Sequence, residues 1–530
     1  MRNEDRECAI VEITSRIVSR YMEESTRSKG MPVLQVVNDT MYQEFLRLKQ
    51  DRNGHMYQED YAFWKEIQRK LPQSTEREIK KLLTNIVTRF SREVAGNFSP
   101  QVYDLSVKVL PVGLSLLLNS VSPTKLLRQF PNMPTLEHNV QLSGNVKQLQ
   151  ELEKRGTVVL LPTHLSNLDS PIVGWSIYHM GLPPFTYGAG LNLFSNPMLS
   201  FFMRNLGAYR VDRRKKAPIY KDVLKEYATC SLEYGYNNIF FPGGTRSRSG
   251  IVERRIKKGL LGTAINSYVH NLQNKKKNPK IFIVPCTLNY HLVLEAKSLI
   301  EDYLKSEGRS RYIVANDEFS DIKRIVKFVT NLIKLDSQIQ VVIGEAFDPF
   351  GNRVDIEGQS YDSRERPVDI SKYVLCGGKP AIDPQRDHEY TNELSKVVSE
   401  QFSNYNMLMV THLVAAACFL LLREKNPDMD LYRLLHTGGN IDHLALSEVC
   451  EMTDRLYNHF KTLEQNGKIR LEPWLHTQNS EGMVERALRF FKSYHAPSVI
   501  RRRGDRIIPG DMNLLYYYQN RLKGYPLPEG

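Results

Sequence analysis

Residues 157–171, TVVLLPTHLSNLDSP, decide the fold. Val158–Leu161 is a continuous apolar run, short enough for a buried strand. Pro162 ends it, and a polar loop follows that carries His164 and Asp169. Ser166 or Asn167 can cap a helix beginning just beyond. The spacing of His164 and Asp169 constrains their placement. Five steps along one helix turn through about 500°, so the two side chains would point about 140° apart. They meet only if His164 stays on the loop and Asp169 enters the first helical turn. A neutral imidazole is a good base near pH 7, and a carboxylate on its other nitrogen fixes the tautomer and stabilises the imidazolium. The same spacing recurs at His55 and Asp60 in GHMYQED, where no buried strand precedes it. The strand–loop–helix context, rather than the spacing, therefore singles out His164 and Asp169.

Working outward, short apolar runs recur at Ile239–Phe241, Ile281–Val284 and Gln340–Ile343, with helical stretches between them. That alternation predicts an α/β core over 131–345, a mixed sheet flanked by helices. Pro285 is expected to end the Ile281 strand. Residues 1–130 read as a helical N-terminal region, because apolar residues recur three and four apart in CAIVEITSRIVSRYM and IKKLLTNIVTRF. Residues 346–387, rich in Gly, Pro, Asp and Arg, read as irregular loop. Residues 388–530 read as a helical C-terminal region. No internal repeat is evident.

The chain has 530 residues, 41% of them hydrophobic, which is enough for a sizeable core. Its six cysteines are scattered without a CxxC pair, and no H-E-x-x-H or carboxylate cluster points to a metal. No G-x-S-x-G elbow supports a serine hydrolase. The start lacks the apolar region of a secretory signal. Met407–Leu422, interrupted by Thr411 and His412, is too short to span a bilayer and reads as a buried core helix. Residues 101–123 are apolar around Lys108 and Pro111, and read as a kinked core helix or a segment lying in a membrane surface.

The formal charge is +13. Residues 204–258 hold fourteen Lys or Arg against five acids, a net of +9 in about a tenth of the chain. Such a patch calls for an anion: phosphate, nucleic acid or a membrane surface. Two motifs lie in it. In LGAYRVDRRKK (206–216), Gly207 predicts a tight turn and Tyr209–Val211 a short strand running into Arg213 and Arg214. In IFFPGGTRSRSG (239–250), a strand meets a glycine-rich loop with Arg246 and Arg248. Glycines allow close backbone approach to an anion, and arginine forks match phosphate oxygens. The Walker spacing is absent. In IFIVPCTLNYH (281–291), Cys286 reads as a small packed residue.

Taken in order, His-x4-Asp after a strand, Gly-x3-Val-Asp-Arg, Phe-Pro-x-Gly-Thr-Arg-Ser-Arg-Ser-Gly and Val-Pro-x4-Tyr resemble the glycerolipid acyltransferase family. These four motifs cover residues 161–290. The resemblance implies that His164 is a general base oriented by Asp169. It implies that Arg213 lies near the acceptor phosphate, and that Gly244, Thr245, Arg246 and Ser247 bind it. Lys258 would help to hold the phosphate, Arg248 would add positive charge, and Gly207 and Pro285 would shape the pocket. Backbone donors near the helix start would stabilise the oxyanion. One position departs from the family: Gly243 stands where a Glu is usual, between Pro242 and Gly244. That carboxylate would orient the acceptor or its arginines.

The implied reaction moves a fatty acyl chain from acyl-CoA or an acyl carrier protein to glycerol 3-phosphate in phospholipid biosynthesis, with no cofactor and no metal. Lysophosphatidate and dihydroxyacetone phosphate are alternative acceptors. The long N-terminal region and the C-terminal NLLYYYQNRLKGY are similar to the larger glycerol-3-phosphate acyltransferases. A non-catalytic relative that only binds acyl thioesters or lipids is the rival reading raised by Gly243. A nucleic-acid binder would carry a recognisable module, and none is present. The lipid product places the protein peripherally on the cytoplasmic face of a membrane, held by residues 101–123 and by basic residues at Arg213–Lys216 or Arg501–Arg503.

Overall fold

The computed structural model describes residues 1–27, 32–50, 57–104, 106, 139–190, 204–307 and 338–528. Seven strands form the central sheet: β1 (Val140–Gly144), β2 (Thr157–Pro162), β3 (Thr186–Gly190), β4 (Ala208–Val211), β5 (Asn238–Ile239), β6 (Ile281–Tyr290) and β7 (Ile339–Ile343). Their spatial order is β1-β7-β6-β2-β5-β3-β4. All neighbours run parallel except β6 and β7. The sheet is thus mixed and flanked by helices.

Side-chain alternation divides the core into two faces. Val158 and Leu160 of β2, with Val284 and Leu288 of β6, pack against the helix Asp169–His179 and the C-terminal helices. Val159 and Leu161, with Ile281 and Ile283, pack against the helices Thr263–Gln273 and Pro384–Asn404. The Met407–Leu422 run forms a short strand and then the helix Val410–Glu424, buried along nearly its whole length. Among the described residues, no helix is long and apolar enough to cross a membrane. Residues 107–123 of the apolar 101–123 segment lie outside the described residues, as does His55.

Four N-terminal helices, α1 (Asn3–Thr26), α2 (Val33–Gln50), α3 (Tyr57–Lys70) and α4 (Glu76–Val94), pack on the helix Pro218–Glu233 beside edge strand β4. An ion network seals the junction. Arg47 bridges Glu44 and Asp60, Arg89 reaches Asp60, and buried Lys215 pairs with Glu93 at 2.5 Å. Asp60 is therefore a structural ion-pair partner. Lys215 is withdrawn from the exposed Arg213–Lys216 surface expected from the sequence; Arg213, Arg214 and Lys216 stay exposed.

Two expectations are corrected. Strand β6 does not end at Pro285; it runs five residues further. Pro285 sits where pairing passes from the Ile283–Phe347 bridge to the Cys286–Ile343 ladder. There only its carbonyl is needed, and it accepts the Gly344 amide at 2.8 Å, so the missing N–H costs nothing. Residues 346–387 are not irregular, and they hold a repeat. Asp348, Asp355 and Asp362 lie seven apart, and each carboxylate accepts backbone amides of the turn that follows it. Three residues after each Asp the chain takes positive φ, at Gly351 (90°), Gly358 (79°) and Glu365 (58°). Short antiparallel strands separate the turns. Polar turn chemistry carries this repeat, so hydrophobic patterning misses it.

Positive φ suits Gly and strains other residues by about 1–2 kcal/mol. A Cβ at Gly358 would also stand 3.1 Å from the Phe282 ring. Gly358→Ala is expected to lower unfolding free energy by about 1–2 kcal/mol, whereas Glu365→Gly lowers it not at all. Urea midpoints of the two variants check this.

Candidate active site

Strands β2, β3, β4 and β5 are parallel, so their carboxyl ends share one sheet edge. The His164 loop follows β2, Asp212 and Arg213 follow β4, and the glycine-rich loop follows β5. Tyr290 ends β6, which is parallel to β2. Three of the motifs and the last residue of the fourth therefore arrive at one edge, where ligands bind in open α/β sheets.

Asp169 organises that edge. It opens the helix Asp169–His179 and is fully buried. Its Oδ2 lies 2.8 Å from His164 Nδ1 and accepts the amides of Leu165 at 2.6 Å and Ser166 at 2.9 Å. Tyr290 donates its hydroxyl to Oδ1. A carboxylate with these donors can only accept, so His164 carries its proton on Nδ1 and presents the lone pair of Nε2. The ring is largely covered, 16% exposed, and Phe241 stacks on it with centroids 4.2 Å apart.

The glycine-rich loop is fastened to the same residue, because the Ser247 amide donates to the His164 carbonyl at 2.7 Å. The Ser247 hydroxyl donates to the Ile251 carbonyl at 2.8 Å, so it shapes the loop. Thr245 is exposed on it. Arg246 turns inward, 3.3 Å from Glu295. Glu295 is fully buried and also accepts the Ser166 hydroxyl at 2.8 Å and the Asn167 amide at 3.0 Å. This carboxylate joins the first and third motifs. Sequence reading missed it because it lies past the fourth motif; its one signal is an acid inside the apolar stretch HLVLEA.

Arg213 and Arg246 are close enough for their charges to interact. Partial desolvation by its surroundings, and then the Arg246 charge, hold the Arg213 guanidinium below its ordinary pKa, although the residue keeps an exposed face. An anion beside such a pair of cations would relieve their repulsion. The other expected cations point elsewhere. Arg248 pairs with Asp302 at 2.8 Å. Lys258 lines an open groove of about 620 Å³ with Arg254, Arg255, Lys396 and Ser399. Its neighbour Lys257 lies on the glycine-rich loop instead: a Cβ on Gly244, whose φ is +74°, would stand 2.8 Å from Lys257 Nζ.

Gly207 adopts φ +85° and turns the chain into β4. Pro285 is buried in β6 opposite Leu161. The backbone donors expected near the helix start are already used: the amides of Leu165 and Ser166 go to Asp169, and that of Asn167 to Glu295. Those three amides are therefore not free to stabilise an oxyanion, contrary to the expectation from the sequence.

Residues 143–289 match the family model described as Acyltransferase. A glycerol-3-phosphate acyltransferase of Pseudomonas syringae pv. syringae (strain B728a) is 26% identical over 293 residues, covering 55% of this chain and 32% of that protein. One from Pseudomonas paraeruginosa (strain DSM 24068 / PA7) is 24% identical over 351 residues, covering 66% and 36%. The chain thus aligns with about a third of the length of these curated relatives. The crystal structure of a 1-acyl-sn-glycerophosphate acyltransferase from Thermotoga maritima aligns with 56% of this chain and 96% of its own at 15% identity. Its TM-score of 0.25 is too low to bear on the fold. The family match, the ordered motifs and their shared sheet edge make the segment 143–289 similar to the Acyltransferase family.

Proposed function

We propose that this protein transfers a fatty acyl group from an acyl thioester to glycerol 3-phosphate. The observation that carries this reading is the His164–Asp169 hydrogen bond, with Arg213 after β4 and Arg246 after β5 at the same sheet edge. The matched relatives, named glycerol-3-phosphate acyltransferases, support the choice of acceptor.

The phosphate is held by Arg213 and Arg246, which positions a glycerol hydroxyl against His164. His164 Nε2 removes the hydroxyl proton as the oxygen attacks the thioester carbonyl. Asp169 stabilises the imidazolium that forms. The tetrahedral adduct then collapses, the C–S bond breaks, and the imidazolium returns the proton to the departing thiolate. The donor is acyl-CoA or an acyl carrier protein. The step needs no covalent enzyme intermediate and no metal.

Thiol release from palmitoyl-CoA, with and without glycerol 3-phosphate, tests the reaction. Acceptor-dependent release is expected, and His164→Ala should lower it by about 10²–10⁴-fold. Release unaffected by His164→Ala in a folded protein would contradict the mechanism. Acylation of lysophosphatidate or dihydroxyacetone phosphate alone would reassign the acceptor.

The product is a lipid, so we place the protein peripherally on the cytoplasmic face of a membrane. The exposed Arg214 and Lys216, and the exposed hairpin at Arg501–Arg503, are the basic groups for anionic headgroups. Sedimentation with anionic liposomes should carry the protein down at low salt and release it at high salt. No binding at low salt would overturn this placement.

A further inference from the structure

Gly243 leaves a space, and another side chain occupies it. A Cβ built on Gly243 would stand 1.8 Å from Glu253 Oε2 and 2.2 Å from Glu253 Cδ. The Glu253 carboxylate therefore lies where a side chain at 243 would begin. The backbone holds it there: the Lys257 amide donates to the Pro242 carbonyl at 2.8 Å, folding residues 253–257 back over the glycine pair. Gly243 lies two residues past Phe241, whose ring covers the His164 imidazole, and three before Arg246.

Glu253 Oε2 is buried and has no hydrogen-bond partner among the described residues. Lys257 and Arg521 supply opposite charge nearby. Arg521 is buried and donates to Asn289 Oδ1 at 3.1 Å and to the Leu288 carbonyl at 3.5 Å. A buried acceptor without a donor is costly, and such groups mark places where a ligand completes the bonding. A carboxylate accepts only and repels a phosphate, so the matching ligand group is a hydroxyl or an N–H.

We propose that Glu253 accepts a hydrogen bond from the acceptor's second hydroxyl, the one that is not acylated, and so selects a phosphorylated diol. The inference rests on the acyl-transfer reading above and deepens it. Glycerol 3-phosphate offers a second hydroxyl. Dihydroxyacetone phosphate has a ketone there and lysophosphatidate an ester, and neither can donate. Burial pushes the Glu253 carboxyl up to about 7, against the pull of Lys257 and Arg521. A donated hydroxyl proton would favour its charged form. The usual carboxylate of this motif is thus replaced from ten residues downstream.

The test compares kcat/KM for glycerol 3-phosphate and for 3-hydroxypropyl phosphate, which lacks the second hydroxyl, with palmitoyl-CoA as donor. Wild-type protein should prefer the diol by about 10–100-fold, the range for a hydrogen bond to a charged group. Glu253→Ala should lose that factor on glycerol 3-phosphate, mainly through KM, and stay within about twofold of wild type on the analogue. Gly243→Ala, whose methyl displaces Glu253, should reproduce the pattern with the carboxylate still present. Equal use of both acceptors by wild-type protein overturns the proposal and leaves acyl transfer standing; this arm depends on no variant folding. Equal losses on both acceptors in a Glu253→Ala protein with wild-type melting, or a Gly243→Ala protein that keeps the full preference, also overturn it. Transfer by wild-type protein to neither acceptor overturns the acyl-transfer reading and this inference together.

Discussion

The buried Asp169 carboxylate is the constraint on which the rest of the site depends. Four groups from two places in the chain point at it: the His164 ring with the Leu165 and Ser166 amides, and the Tyr290 hydroxyl at the end of β6. A buried charge is tolerated only with such satisfaction. Those bonds set the bend between β2 and its helix, and with it the direction of the imidazole. The glycine-rich loop inherits that placement through the bond from the Ser247 amide to the His164 carbonyl.

Charge around the site is partitioned. Arg246 is matched by Glu295, Arg248 by Asp302, and Lys215 by Glu93 within the N-terminal network. Arg213, two residues before Lys215, feels the Arg246 charge. The helical regions at both ends thus contribute to the site indirectly. The N-terminal helices anchor the loop that bears Arg213 through Lys215. The C-terminal segment meets the glycine-rich loop, where Asn520 donates to the Ser249 carbonyl at 2.9 Å and Arg254 donates to the Gly524 carbonyl at 2.7 Å.

What could be read from the sequence was whatever a local pattern encodes. The apolar runs that became β2, β6 and β7 were legible because a buried strand needs them. The need for His164 on a loop and Asp169 in a first turn followed from helix geometry alone. Partners brought in by the fold were not legible. Glu295 and Arg521 lie outside the motifs, and beyond the acid standing in the apolar stretch HLVLEA nothing near them in sequence announces the contacts they make. Lys257 and Lys258 are adjacent and alike, yet the helix beginning at Lys258 sends one to the loop and the other to the groove. Gly243 looked like a loss of function in one dimension; in three it makes room for Glu253.

The central claim is that Asp169 acts as a charged acceptor that sets the His164 tautomer. Asp169→Asn tests it most directly, because the amide keeps the volume and gives up the charge. With acyl-CoA and glycerol 3-phosphate, kcat should fall by about 10³–10⁴-fold while the protein still melts cooperatively. A folded Asp169→Asn protein with near wild-type kcat would contradict the account.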